Sequence, residues 1–523
     1  MRLIAALFAA ALAPGLVAAS FAAPVEAAEF RWAATADAAT LDPHAQNTAT
    51  VLGFLNNVYE GLVRRGRDMA LESALAERWE ALEGGAGWRF HLRKGVTFHD
   101  GAAFDAEDVL FSHARAASKQ SDVASWFAQV RAVEAPDPYT VDFLTTAPSP
   151  IFPDSIANFM IMDKGWAEAN GAALPDRETG NFATLNANGT GAFRVTLREP
   201  GLQTVLEPFY KWWGTPEHNI TRAIHKPIKN PATALASLIS GAVDFIEPAP
   251  IQDIERLRAT DGVQVIEGVE ARTIFFGFRQ NRERLLDGGA NIFKDVRVRE
   301  AVNHAINVEA IVTVILRGAA QPVSQLIDPA SRGYSHARAA RPAFDLDKAK
   351  ALIAEAGASG AAFTLACPND RYIADAAVCQ AAVGMLAQAG LAPRLVTLPA
   401  AQYFAALRER QFDMYLLGWS AGTFDAEHPI RFLAATPDAE KKLGSWNFGG
   451  FSNDRVDALL PLIQTELDEA ARQAMLDEVA AILQDEAAYV PLYVQPLLWA
   501  ARANIALSQR ADNFFILRWV TVN

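Results

Sequence analysis

An α/β fold is predicted by three features of the sequence. Between residues 363 and 419, "FTLAC", "ADAAVCQAAVGMLAQAG", "PRLVTL", "AQYFAALRER" and "FDMYLLGW" alternate short apolar runs with helical stretches. That succession is the grammar of a sheet with crossover helices. The same step occurs upstream in "TALASLISGAVDFIEP", a helix stopped by Gly241 and followed by a buried strand. Composition agrees, because 523 residues that are 51% hydrophobic and 20% charged can fill the cores of about two to four domains and do not describe a disordered chain.

Taken in order, the chain opens with Met1-Arg2 and an apolar, Ala-rich stretch that ends in small residues. This pattern predicts a secretory signal peptide over 1–27, cleaved after Ala27, and hence a periplasmic protein. No later run reaches the length of a membrane span. "EFRWAA", "WRFHLR", "VTFHDGAAF" and "PYTVDFLT" read as strands and hairpins, and Asp105 with Asp108 marks a helix start before "VLFSHARAA". "VRVREAVNHAINVEAIVTVILRG" and "DLDKAKALIAEAG" carry helical spacing and stop at Gly318 and Gly357. The last hundred residues add helices "NDRVDALLPLIQTEL" and "DEAARQAMLDEVAAILQDEA", then strands "YVPLYV" and "FFILRWVTV".

Charge and special residues narrow the function. A net charge of −13 with no basic stripe excludes nucleic acid as a partner. Cys367 and Cys379 are an even pair in an exported chain and predict a disulfide. The nine histidines show no metal-ligand spacing, so neither a metal nor another cofactor is expected. "NGTGAF" at 188–193 lacks the ending of a phosphate loop, and its glycines are assigned to a turn. Gly418-Trp419-Ser420-Ala421-Gly422 fits the G-x-S-x-G nucleophile elbow of serine hydrolases. An elbow needs a helix after the serine and an acid and histidine downstream. Here Pro429 disfavours helix at His428, and His428 is the last histidine of the chain. Trp212, Trp213, Trp419, Trp446, Phe448 and Trp499 fall at turns or strand ends, where rings can line a cleft.

In sequence order, "TLDPHAQN", "NVYEGLV", "ALAERWE", "WRFHLRKGVTFHDGAAFDAEDVLFS", "NGTGAFRV", "LISGAVDFI", "DVRVREAVNHAI", "KAKALIAEAG", "FDMYLLGW" and "NFGGFSNDRVDALL" resemble the family 5 extracellular solute-binding proteins. Those are dipeptide-, oligopeptide- and nickel-binding components of bacterial ABC importers, and the likeness covers essentially the whole chain after the leader. It implies a periplasmic binding protein-like fold of two lobes with a hinge and a small extra domain inserted near the N-terminus. The expected division is a discontinuous domain I (28–48, 187–273 and 503–523), an inserted domain II (49–186) and an α/β domain III (274–502).

The resemblance also implies a non-enzymatic receptor, acting as a monomer, that hands a peptide or peptide-like solute to membrane permease and ATPase subunits. A nickel or metal chelate is the alternative cargo. In the family's peptide binders an aspartate in Gly-Trp-x-x-Asp holds the ligand amine; here that slot is Gly422 and the nearest acid is Asp425. Gln46, Asn47 and Thr48 follow "LDPH" and fall near the ligand. Arg371, with Tyr372 beside it, is placed to meet the carboxylate. Trp419 supplies an apolar wall, with Trp446 nearby, and Asn447 offers hydrogen bonds.

Overall fold

The computed structural model describes residues 28–523; the signal-peptide expectation for 1–27 lies outside the described residues. Strand Ala28–Ala34 runs parallel to Ile220–Pro227 on one side and to Phe245–Glu247 on the other. Phe30 and Trp32, two residues apart and therefore on one face, are buried against Phe245 and Phe515.

Two long antiparallel strands, Val263–Phe278 and Tyr489–Arg502, carry the sheet onward. Ala500 and Ala501 pair with Ile246 and Phe245, while Arg272–Phe278 pairs with Met414–Ser420. The register between the long strands skips from Val269 to Thr273, and there the Ala271 N–H donates instead to the Ala511 carbonyl at 2.7 Å. Separate apolar cores lie on either side of this crossing. One gathers Phe30, Trp32, Leu52, Leu206 and Phe515; the other gathers Phe276, Val302, Leu365, Val378 and Leu416.

A third core, around Phe90, Phe104, Val109, Phe143 and Phe159, belongs to a four-stranded antiparallel sheet with helix Ala106–Ala116 on it. The Asp105 side chain accepts from the Glu107 N–H at 2.8 Å and Asp108 accepts from the Asp105 N–H at 3.1 Å, which starts that helix as a capping box. Its other end is tied to the first core. Arg115 donates to Asp42 at 2.7 Å, with both side chains sealed from water, and His44 reaches the Met160 carbonyl at 2.9 Å.

On the far side of the crossing, strands Ala362–Pro368, Ala392–Leu398 and Met414–Ser420 run parallel, with helices Asp375–Gln388 and Ala400–Arg408 between them. The expected disulfide joins Cys367, at a strand end, to Cys379 on the following helix, with Cα atoms 6.6 Å apart. No helix among the described residues is long and apolar enough to cross a membrane.

Four local expectations are corrected. The helix expected over 296–318 ends at Ala305, because Asn307 turns its side chain back to accept from the Ala310 N–H at 2.9 Å and opens a new helix. "FFILRWVTV" is not a strand up to Thr521: Asn57 donates to the Phe515 carbonyl at 3.0 Å and accepts from the Leu517 N–H at 2.7 Å, doing a partner strand's work with one amide. "VTFHDGAAF" keeps only one bridge, Thr97 with Ala103. Gly189 and Gly191 serve close packing rather than a turn, since a Cβ at either would fall 2.1 or 2.6 Å from the Val58 carbonyl oxygen.

Candidate ligand cleft between the lobes

Where the long strands cross, the chain leaves an open cleft of about 1310 Å³. Asn47, Ala49, Leu52, Trp126 and Phe514 line one wall; Ser420–Phe424, His428, Arg431 and Phe432 line the other; Glu270, Ala271 and Arg272 form the floor. Most charges on this surface neutralise each other. Arg65 pairs with Asp154 at 2.9 Å, Arg272 with Glu270 at 2.7 Å and Lys441 with Asp438 at 3.3 Å. Asp457 accepts from the Thr436 N–H at 2.9 Å.

Arg431 is different. Its guanidinium lies over the Phe432 ring, 5.1 Å from the centroid, and its Nε is buried without a hydrogen-bond partner. It projects from a widened turn of helix, Ile430–Ala434, with i to i+5 spacing, a distortion frequent at functional sites. Sequence reasoning missed it; the signal available was an arginine three residues after the histidine of the Gly-Trp loop.

His428 sits beside it. Burial, and then the Arg431 charge, push its pKa down to about 4. Because the Trp419 indole donates to its Nδ1 at 3.2 Å, the neutral ring carries its proton on Nε2 and is a donor there. Trp419 stands behind this wall, packed on His428, Phe432 and Trp446.

The sequence-predicted residues scatter across this geometry. Asn47 lies on the cleft wall, its N–H held by Asp122 at 2.8 Å. Gln46 is half-buried next to it, and Thr48 caps helix Ala49–Leu55 by accepting from the Val51 N–H at 3.4 Å. The expectation for Asp425 is corrected. It is 0% exposed and takes both Arg472 guanidinium nitrogens, at 2.7 and 2.8 Å, so its charge is spent inside the lobe.

Asn447 is corrected likewise: its amide donates to the Ala435 and Phe451 carbonyls at 3.0 and 2.8 Å and accepts from the Phe451 N–H at 3.0 Å, which saturates it. Arg371 is exposed and stacks on Tyr372 at 5.2 Å. Tyr372 packs against Gly418, and both backbone N–H groups are held by Asp375 at 3.0 Å; neither side chain is on the cleft wall. Of the aromatic candidates, Trp212 and Trp213 donate to buried Glu60 at 3.2 and 2.8 Å, and Trp499 is core.

Ser420 ends a strand and pairs with Arg272, and His428 Nδ1 is engaged by Trp419 rather than by a serine. The helix an elbow requires directly after the serine is replaced by the loop 421–426. Among the described residues no group of three or more His, Cys, Asp and Glu side chains is placed to hold a metal ion.

Two lobes joined by crossing strands, with a partly polar cleft between them, define a two-lobed solute-binding protein. A model of the bacterial extracellular solute-binding proteins, family 5 (middle), matches residues 70–440, and the chain belongs to this family. It is 25% identical over 473 residues to the glutathione-binding protein GsiB of Salmonella paratyphi A, covering 89% of each chain. The fold is similar to HbpA2 of Haemophilus parasuis, with a TM-score of 0.81, 22% identity and coverage of 95% and 100%. It is also similar to the periplasmic binding protein DppA of Helicobacter pylori solved with the peptide STSA, with a TM-score of 0.72, 23% identity and coverage of 95% and 98%.

Proposed function

We propose that this protein is the periplasmic receptor of an ABC importer, capturing a peptide or peptide-like solute between its lobes and delivering it to a membrane permease, with no catalytic step of its own. The observation that carries the reading is Arg431, a cation without a carboxylate partner among the described ion pairs, in a cleft where Arg65, Arg272 and Lys441 each have one. An unpaired charge on a surface that closes over its ligand costs several kcal/mol unless the ligand supplies the counter-charge. A ligand carboxylate does so, with the His428 Nε2–H as a second donor and Asn47 facing it across the cleft. The names of GsiB and of the DppA complex, glutathione and a tetrapeptide, support a ligand of this class.

On this reading the first lobe is 28–48, 187–273 and 503–523, the insert is 49–186 and the second lobe is 274–502. Helix Ala49–Leu55 adds Val51, Leu52 and Leu55 to the first lobe's core. Ligand touching both lobes stabilises the closed form, which the permease recognises.

Calorimetric titration with glutathione, trialanine and trialanine amide tests the proposal. A carboxylate-bearing probe is expected to bind, and Arg431→Ala is expected to weaken it by about 2–5 kcal/mol. Binding of none of the three, or equal affinity of acid and amide, contradicts it. Incubation with a serine-reactive phosphonate is expected to leave Ser420 unlabelled; stoichiometric labelling there overturns the non-catalytic reading.

A further inference from the structure

Beside the cleft, and sharing Ala49 with it, is a smaller pocket of about 140 Å³. It lies at the carboxyl ends of the three parallel strands Ala28–Ala34, Ile220–Pro227 and Phe245–Glu247, the edge of a sheet at which α/β folds bind ligands. Its wall is aromatic. Trp32, Phe54 and Phe515 line it together with His225, and the Trp32 ring lies 5.7 Å from that of Phe515 and 5.0 Å from the imidazole.

One carboxylate enters it, that of Glu247. Nearby Asp37 is already spent, since Arg198 donates to it at 2.6 Å and the Gly201 N–H at 2.7 Å. Glu247 has neither a hydrogen-bond nor an ion-pair partner among the described residues. The Nδ1 of His225 is buried without a hydrogen-bond partner, 3.9 Å from Asp37. Glu247 is half-buried, and desolvation without compensation pushes its carboxyl up to about 8, the behaviour of an acid awaiting a counter-ion.

We propose that this pocket is the cation subsite of the receptor: the Glu247 carboxylate, backed by the ring faces of Trp32, Phe54 and Phe515, takes a ligand's ammonium or guanidinium group. A carboxylate supplies the charge, and aromatic faces attract a cation stripped of water. The proposal rests on the peptide-like reading above for the molecule that delivers the cation. Asp425 is bound to Arg472, and Glu247 is an acid without a partner that can serve that end of a zwitterion. The cation comes from an α-amine or from a basic side chain.

Calorimetry with three probes separates these sources: trialanine, acetyl-trialanine, and acetyl-Ala-Lys-Ala. Wild-type protein is expected to bind at least one amine-bearing probe about tenfold or more tighter than acetyl-trialanine. In Glu247→Gln, whose amide keeps the shape, that preference should vanish. Preference for trialanine assigns the pocket to the α-amine, and preference for the lysine peptide assigns it to a side chain. Equal affinities in the wild type, or an unchanged preference in Glu247→Gln, overturn the subsite.

Should no peptide bind, the peptide-like reading fails, and benzylamine, read by tryptophan fluorescence, decides the pocket alone. Saturable binding by the wild type but not by Glu247→Gln upholds it, while the same response from both proteins, or from neither, overturns it. An unchanged melting temperature confirms that Glu247→Gln is folded.

Discussion

Asp425 and Arg472 hide a full charge pair beneath the cleft wall, and removing one partner strands the other. Asp425→Asn should therefore destabilise the fold by about 3–5 kcal/mol while leaving affinity for any bound peptide unchanged; a loss of affinity without a loss of stability in urea titration contradicts the structural role. His428 makes a second prediction. Its folded pKa of about 4 lies below the unfolded value of about 6.5, so between these values the unfolded chain takes up a proton that the folded ring refuses. Its contribution to stability is complete above about pH 6.5 and is lost as pH falls toward 4. Wild-type protein should lose stability between pH 6.5 and about 4.5 more steeply than His428→Gln, and equal slopes contradict the buried neutral imidazole. At this scale the sequence is only partly legible. "GWSAGTFDAEHP" offers an acid, a histidine and a tryptophan, but which of them face the ligand depends on Arg472, forty-seven residues downstream. Arg431 and Glu247 become visible only when their lack of partners does.

Elements read more clearly because their causes are local. The alternation over 363–419 becomes three parallel strands with two helices between them. Asp105 and Asp108 announce a helix through their own hydrogen bonds. Failures occur where a distant group supplies what the local pattern lacks, as Asn57 does for the apolar run 514–520. The disulfide belongs to this scale too, tying a strand end to its helix across twelve residues. Replacing Cys367 and Cys379 together by serine should cost roughly 2–3 kcal/mol through the entropy of the unfolded chain, measured by chemical unfolding; an unchanged midpoint contradicts it.

Across the whole molecule, the lobes touch beyond the crossing strands. Arg65 donates to the Thr423 carbonyl at 2.9 Å, and Arg332 stands 3.5 Å from Asp154. These contacts bridge one end of the cleft, so Arg332→Ala should shift the unliganded protein toward a more open form, seen as a larger radius of gyration by small-angle scattering. An unchanged radius contradicts a latch. A clamp that pairs Arg431 with a carboxylate and Glu247 with a cation should carry its ligand through purification, so mass spectrometry of what is released on denaturing protein taken from its native cells decides it. A small peptide-like zwitterion is expected from the wild type, lost from Arg431→Ala and depleted from Glu247→Gln. Release of nothing, or of a solute lacking a carboxylate and retained equally by both variants, would contradict it.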